Sequence, residues 1–147
     1  MIKVYIASPY SKGDMGINVG NSMRCADKLI DLGFAPFCPL LLHFQHIMNP
    51  KDYNTCMRLD LEWLKQCDCL LRLPGKSKGA DIEVKFAKKN NIPVFYDLDE
   101  LLKWKTTTES AQVITDGENI WLKRCPECGK KTMEVVRPGK VQCSNCG

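Results

Sequence analysis

The sequence predicts an α/β protein of the flavodoxin or Rossmann kind. The expected core is a doubly wound parallel sheet of about four or five strands, with a small four-cysteine zinc ribbon at the carboxyl end. Three observations carry this expectation. Short runs rich in β-branched and apolar residues alternate with longer runs of helical period from residue 2 to residue 104. Glycine, proline or asparagine marks most changes of period. Four of the nine cysteines stand in two C-x-x-C pairs near the end of the chain.

The elements follow in order. "IKVYIAS" (Ile2 to Ser8) reads as a buried strand that closes on Pro9. After the turn "SKGDMG", Val19, Met23, Ala26 and Ile30 recur at helical spacing, and Gly33 stands where a helix ends. "FAPFCP" is a short second strand, and "LLLHFQHIMNP" is a connection of unassigned form. A helix follows Asn49-Pro50, with Met57, Leu61 and Leu64 on its apolar face. "CDCLLRL" is a third strand, "GADIEVKFAKKNN" a third helix, "IPVFYD" a fourth strand and "LDELLKW" a last short helix. Residues 105–118 mix polar and apolar side chains without a sustained period, and they read as a linker between a domain at 1–104 and a module at 119–147.

Composition narrows the class. The chain has 147 residues, of which 44% are hydrophobic, as in a globular protein. It contains no apolar run of the roughly 20 residues that a membrane span needs, and it opens directly on a strand-like segment without a signal peptide. The expectation is a cytoplasmic protein with no membrane partner. Residues 119–147 carry six Lys or Arg against two Asp or Glu, an excess equal to the net charge of +4 for the whole chain. The main body is thus neutral and offers no electrostatic reason to bind nucleic acid.

The terminal module is the most specific motif. Cys125, Cys128, Cys143 and Cys146 form two C-x2-C knuckles joined by "TMEVV", Arg137-Pro138-Gly139 and "KVQC", a hairpin signal. Four soft thiolates on two tight turns describe a closed, structural Zn²⁺ site, and a module this small should fold only with its metal. No organic cofactor is expected. Such ribbons contact nucleic acid, contact protein, or pack on their own chain, and the basic excess makes nucleic acid one of those candidates. The other five cysteines, Cys25, Cys38, Cys56, Cys67 and Cys69, read as small buried apolar residues.

Ligands of parallel α/β sheets bind beyond the carboxyl ends of the strands. Ser8 to Gly13, Pro39 to His46, Leu73 to Glu83 and Asp97 are therefore the residues to watch. Gly75-Lys76-Ser77 has the letters of a Walker A loop, but that loop needs a glycine five residues earlier, where Leu70 stands. Acidic residues mark the same region: Asp60 on the preceding helix, Asp68 at the start of the third strand, and Asp81 and Glu83 at the start of the third helix. Spacing alone leaves Asp81 and Glu83 open to two readings, site carboxylates or ordinary N-terminal helix charges.

Two of these segments carry a resemblance. Asp60-Leu61-Glu62-Trp63-Leu64 through Asp68, and Ser77-Lys78-Gly79 through Glu83, together with "VYIASPYS", resemble the nucleoside 2-deoxyribosyltransferase superfamily over residues 2 to 97. The likeness is closest to its 2′-deoxynucleoside 5′-phosphate N-hydrolase branch or to an uncharacterised, often phage-associated branch. It implies cleavage of the N-glycosidic bond of a nucleoside or its 5′-monophosphate, with release of the base or transfer of the sugar. Glu83 would be the nucleophile, and Asp60 the group that protonates or positions the departing base. Ser77 would meet the 5′-phosphate, Gly79 belongs to the same motif, and Ser8 and Tyr10 would cradle phosphate or sugar.

Other positions keep competing readings. Tyr5 matches an aromatic residue beside the sugar, with core packing as the rival. Asp68 is a site residue, a cap or a buried polar group. His43 is a base contact or, with His46, an ordinary loop residue. Lys12 stands where the hydrolase branch commonly has arginine. Asp81 replaces a small or neutral residue, so it would raise the pKa of Glu83, contact the base or point away. Related sites are often completed by a neighbouring subunit, which implies a homodimer or larger assembly. The alternative to an enzyme is a non-catalytic nucleotide-binding module whose ribbon contacts nucleic acid or a protein partner.

Overall fold

The computed structural model describes residues 1–121, 133–137 and 140–143, with side chains described as far as residue 109. The chain divides into two compact units, Met1–Leu102 and Lys103–Gly147. In the first, four parallel strands, β1 (Lys3–Ala7), β2 (Ala35–Phe37), β3 (Cys69–Arg72) and β4 (Val94–Phe95), lie in the order β2-β1-β3-β4. The chain leaves β1 toward one edge of the sheet and returns to β3 on the other side of β1. The ends of β1 and β3 thus flank a topological switch point, where an α/β sheet opens a crevice.

Five helices connect and extend these strands: α1 (Met15–Asp31), α2 (His43–Met48), α3 (Tyr53–Leu64), α4 (Lys78–Lys89) and α5 (Leu98–Trp121). Local chemistry sets where they begin and end. The Asp14 carboxylate accepts from Ile17 N–H to cap α1, and Asp52 accepts from Thr55 N–H to cap α3. Gly33, at φ 78°, takes the left-handed turn that ends α1 and sends Phe34 back toward the sheet. The connection Pro39–Met48, unassigned from sequence, is a 3₁₀ turn (Pro39–Leu42) running into α2.

Alternation along the strands divides the core. Tyr5, Ala7 and Leu70 pack with Leu64 of α3 and with Ala80, Val84 and Ala87 of α4. Val4, Ile6 and Leu71 are also buried and alternate with these residues, so they take the opposite face of the sheet. Each fully buried large side chain of this kind contributes about 1.5–3 kcal/mol. Trp63, half exposed, stacks on Phe37 with ring centroids 4.9 Å apart.

Two expectations are sharpened here. Residues 105–118, read as a linker, are helical and lie within α5. Local bonds support the helix between Lys103 and Glu109. The Thr107 and Thr108 hydroxyls donate to the carbonyls of Lys103 and Trp104, and Lys105 pairs with Glu109 one turn on. The scattered cysteines are also not uniformly buried: Cys38 and Cys69 are, whereas Cys25, Cys56 and Cys67 are partly exposed.

In the second unit, β5 (Met133–Arg137) and β6 (Lys140–Cys143) pair antiparallel, with Met133 opposite Cys143, as the hairpin signal predicts. Cys125, Cys128 and Cys146 lie outside the described residues, as does the side chain of Cys143. No helix among the described residues is long and apolar enough to cross a membrane.

Candidate active site

A cleft of about 380 Å³ opens at the carboxyl ends of the strands, at the switch point. Four segments build it, one of them Pro39 and Leu40 after β2. The loop after β1 contributes Ser8, Tyr10, Ser11 and Lys12. Tyr53, Cys56, Met57 and Asp60 follow at helical spacing, so a single face of α3 forms one wall. Lys76, Ser77, Lys78 and Gly79 form the opposite rim, with Glu83 deeper on α4.

Local chemistry shapes each segment. Asn18 donates from Nδ2 to the carbonyls of Tyr10 and Lys12, both at 2.8 Å, and so pins the loop after β1. Buried Ser22 donates to Ser8 Oγ at 2.7 Å, leaving the Ser8 hydroxyl proton to point elsewhere. Ser77 is the N-cap of α4 and accepts from Ala80 N–H at 3.2 Å. Gly79 lets α3 and α4 approach: a Cβ there would meet Met57 Cε at 3.3 Å and Tyr53 Oη at 3.7 Å.

Two carboxyl groups define the chemistry. Glu83 is 6% exposed, and the Tyr5 hydroxyl donates to its Oε1 at 2.7 Å. Burial pushes Glu83 up to about 8, with the Asp60 charge adding to the rise and the Tyr5 bond and Arg72 charge opposing it. Burial alone lifts Asp60 to about 6. Tyr5, fully buried between these groups, is pushed far above the ordinary tyrosine range. It packs in the core, as one of its two readings has it, and its hydroxyl holds Glu83 from behind the cleft.

The cleft gathers Ser8, Tyr10, Asp60, Ser77, Gly79 and Glu83 from the sequence-based set, with Tyr5 directly behind Glu83. Three other members stand elsewhere. Asp68 caps the opposite end of the sheet, where its carboxylate accepts from the Lys3 N–H at 2.7 Å, at the amino end of β1. His43 stands behind Tyr10, with its Nδ1 and the Tyr10 hydroxyl hydrogen-bonded at 2.8 Å, so it supports a cleft residue and does not itself line the cleft. Asp81 turns away and pairs with Arg72 at 3.1 Å, so the carboxylate that raises Glu83 is Asp60 and not Asp81.

Sequence reasoning missed Tyr53, Cys56, Met57 and the anchors Asn18, Ser22 and Arg72, whereas Lys76 and Lys78 fall within the marked stretch Leu73 to Glu83. The 53, 56, 57, 60 spacing on α3 was the signal available for the first three. The anchors carry no sequence signal, because their partners are distant in the chain or are backbone atoms.

Fold and site together define a parallel α/β domain with a two-carboxyl cleft at its switch point. The chain belongs to the DUF7768 family, described as a domain of unknown function, which matches residues 2–97. A comparison with curated proteins gave no match. Among solved structures the chain is similar to a 2-deoxyribosyltransferase of Bacillus psychrosaccharolyticus, at 22% identity and a TM-score of 0.47, over 63% of this chain and 69% of that one. It is also similar to a 2-deoxyribosyltransferase of Leishmania mexicana, at 19% identity and a TM-score of 0.46, over 64% of this chain and 62% of that one.

Proposed function

We propose that this cleft breaks the N-glycosidic bond of a nucleoside or (deoxy)nucleoside 5′-monophosphate, with Glu83 as nucleophile and Asp60 as the acid for the departing base. The observation that carries this reading is the pairing of a Tyr5-held, buried Glu83 with Asp60 across one cleft.

The pair has the proton inventory that such a reaction needs. Between about pH 6 and 8 it holds one proton. In the empty cleft that proton sits on Glu83. Positive charge developing at the anomeric carbon favours the Glu83 anion and drives the proton toward Asp60 and the base. The Tyr5 bond occupies Oε1 and leaves Oε2 to attack. As the Oε2–C1′ bond forms, the C1′–N bond breaks, and its electron pair leaves with the base, which takes the proton from Asp60. Water then attacks C1′, Glu83 departs as carboxylate, and the water proton returns to Asp60. Alternatively, the nitrogen of a second base attacks C1′ and completes a transfer.

Lys12, Lys76, Lys78 and Ser77 at the start of α4 give the rim a positive character that suits a 5′-phosphate. The same proposal includes a second copy of the chain beside the cleft, because Leu41, Phe44, Ile47 and Met48 leave an apolar surface exposed on α2 and the turn before it. It also includes Zn²⁺ on Cys125, Cys128, Cys143 and Cys146, with the β5–β6 hairpin joining the two knuckles.

The deciding experiment is a chromatographic screen of nucleosides and monophosphates for released base, using zinc-loaded protein. Base release that disappears in Glu83→Gln is the expected result, and a free competing base in the mixture separates transfer from hydrolysis. Intact substrates throughout, or binding without turnover, would reject the enzyme in favour of a binding module.

A further inference from the structure

Arg72 ends β3 and, by strand alternation, shares the α3–α4 side of the sheet with Leu70. It is 8% exposed, and among the described residues the buried charged side chains are Arg72 and Glu83. A buried guanidinium persists only where its N–H groups find acceptors. The acceptors of Arg72 all come from one stretch of chain. Nη1 donates to the Leu73 carbonyl, and Nη2 donates to the Gly75 carbonyl at 2.8 Å and to Asp81 Oδ1 at 3.1 Å.

These bonds tie the turn after β3 to the first turn of α4. The other side of the turn is closed: Gly75 sits at φ 114°, and a Cβ there would come within 2.8 Å of Pro9 Cγ. Lys76 to Gly79, which line the cleft, leave directly from this anchored point. Asp81 and Glu83 are two residues apart, about 200° around the helix. Asp81 can therefore meet Arg72 outside the cleft while Glu83 enters it.

We propose that Arg72 is the positioning residue of this cleft: by gripping Leu73, Gly75 and Asp81 it fixes the β3–α4 turn and the stance of Glu83, and it places a buried positive charge behind that carboxyl. The inference rests on Glu83 being the reacting group. The groups that act on Glu83 are Tyr5 from β1, Asp60 from α3 and Arg72 from β3, with the Cys38 thiol sensing it from the end of β2. Of these, Arg72 supplies positive charge, and Asp81 shares it.

The test needs no turnover. Side-chain ¹³C NMR follows the titration of Glu83 in the full chain, with the signal assigned by Glu83→Gln, while hydrogen exchange follows the Ala80 and Asp81 amides that bond to Ser77. Arg72→Met is expected to raise the pH at which Glu83 ionises by about half a unit or more. Asp81→Asn, at an exposed position, leaves the Arg72 charge to Glu83 and lowers that pH. In the double variant the Asp81 effect shrinks. Arg72→Lys restores the titration but not amide protection, because it has charge without a planar fork. If Arg72→Met does not fold, Asp81→Asn decides alone. An unchanged Glu83 titration with unchanged amide exchange in the folded variants overturns the proposal. A cleft that cleaves no nucleoside would still show these shifts, so the base-release screen and this titration fail separately.

Discussion

Tyr5 and Glu83, 78 positions apart in the chain, meet in the core beneath the cleft, with the phenol donating to Oε1 at 2.7 Å. Removing the donor leaves a buried acceptor unpaired. Tyr5→Phe is therefore expected to lower stability by about 1–3 kcal/mol in a denaturant titration. It should also move the ionisation of Glu83 above about 8, because the bond that opposes the rise is gone. Base release at neutral pH would then fall about tenfold for each unit of that movement.

Stability should fall as pH rises through the neutral range. Glu83 ionises at an ordinary value of 4.5 when exposed and at about 8 in the fold, and Asp60 moves from 3.8 to about 6. The folded chain therefore holds more protons than the unfolded one between those values. Its favourable contribution is full below about pH 4 and is lost as pH passes through the folded values, with a slope of at most about 1.4 kcal/mol per pH unit for each group. Thermal melts across pH 5 to 9 measure this trend. Glu83→Gln should flatten the part between about pH 6 and 8, and a variant that melts with the wild-type slope would contradict the burial argument.

If the cleft turns over, its pH profile should be bell-shaped, with limbs near 6 and 8 that belong to the pair. Below the lower limb both carboxyls are protonated and no anion attacks. Above the upper limb both are ionised and no acid serves the base. A single rising limb in kcat/KM would show that one carboxyl acts alone.

Ser77 has two separable roles. As N-cap of α4 it satisfies Ala80 N–H, so Ser77→Ala should cost about 1 kcal/mol. As a cleft hydroxyl beside Lys76 and Lys78 it should matter more for a phosphorylated substrate. A rise in KM for a monophosphate, with little change for the matching nucleoside, is the expected signature. Equal effects on both would assign Ser77 to the cap alone.

Much of this protein is determined by sequence alone. The alternation of strand and helix, Asp14, Asp52 and Ser77 where caps belong, and Gly33 where α1 ends are local consequences of backbone chemistry, and they appear in the fold. Ser77, Gly79 and Glu83 lie in a stretch beyond a strand end, where such folds bind, Asp60 and the roles of these residues come from the family resemblance, and the four share one cleft. The tertiary structure decided what depends on direction and distance. Strand alternation turns Tyr5 toward α4 and Glu83, not to the other face. Asp68 begins β3 and so falls at the far end of the sheet, on the Lys3 amide. A helical step of two sends Asp81 to Arg72 and Glu83 into the cleft. Residues 105–118 are helical although no apolar period marks them, and between Lys103 and Thr108 side-chain bonds to the carbonyl four residues earlier support the helix. Periodicity reports which side of an element is buried; which carboxyl faces which partner is set only when the elements pack.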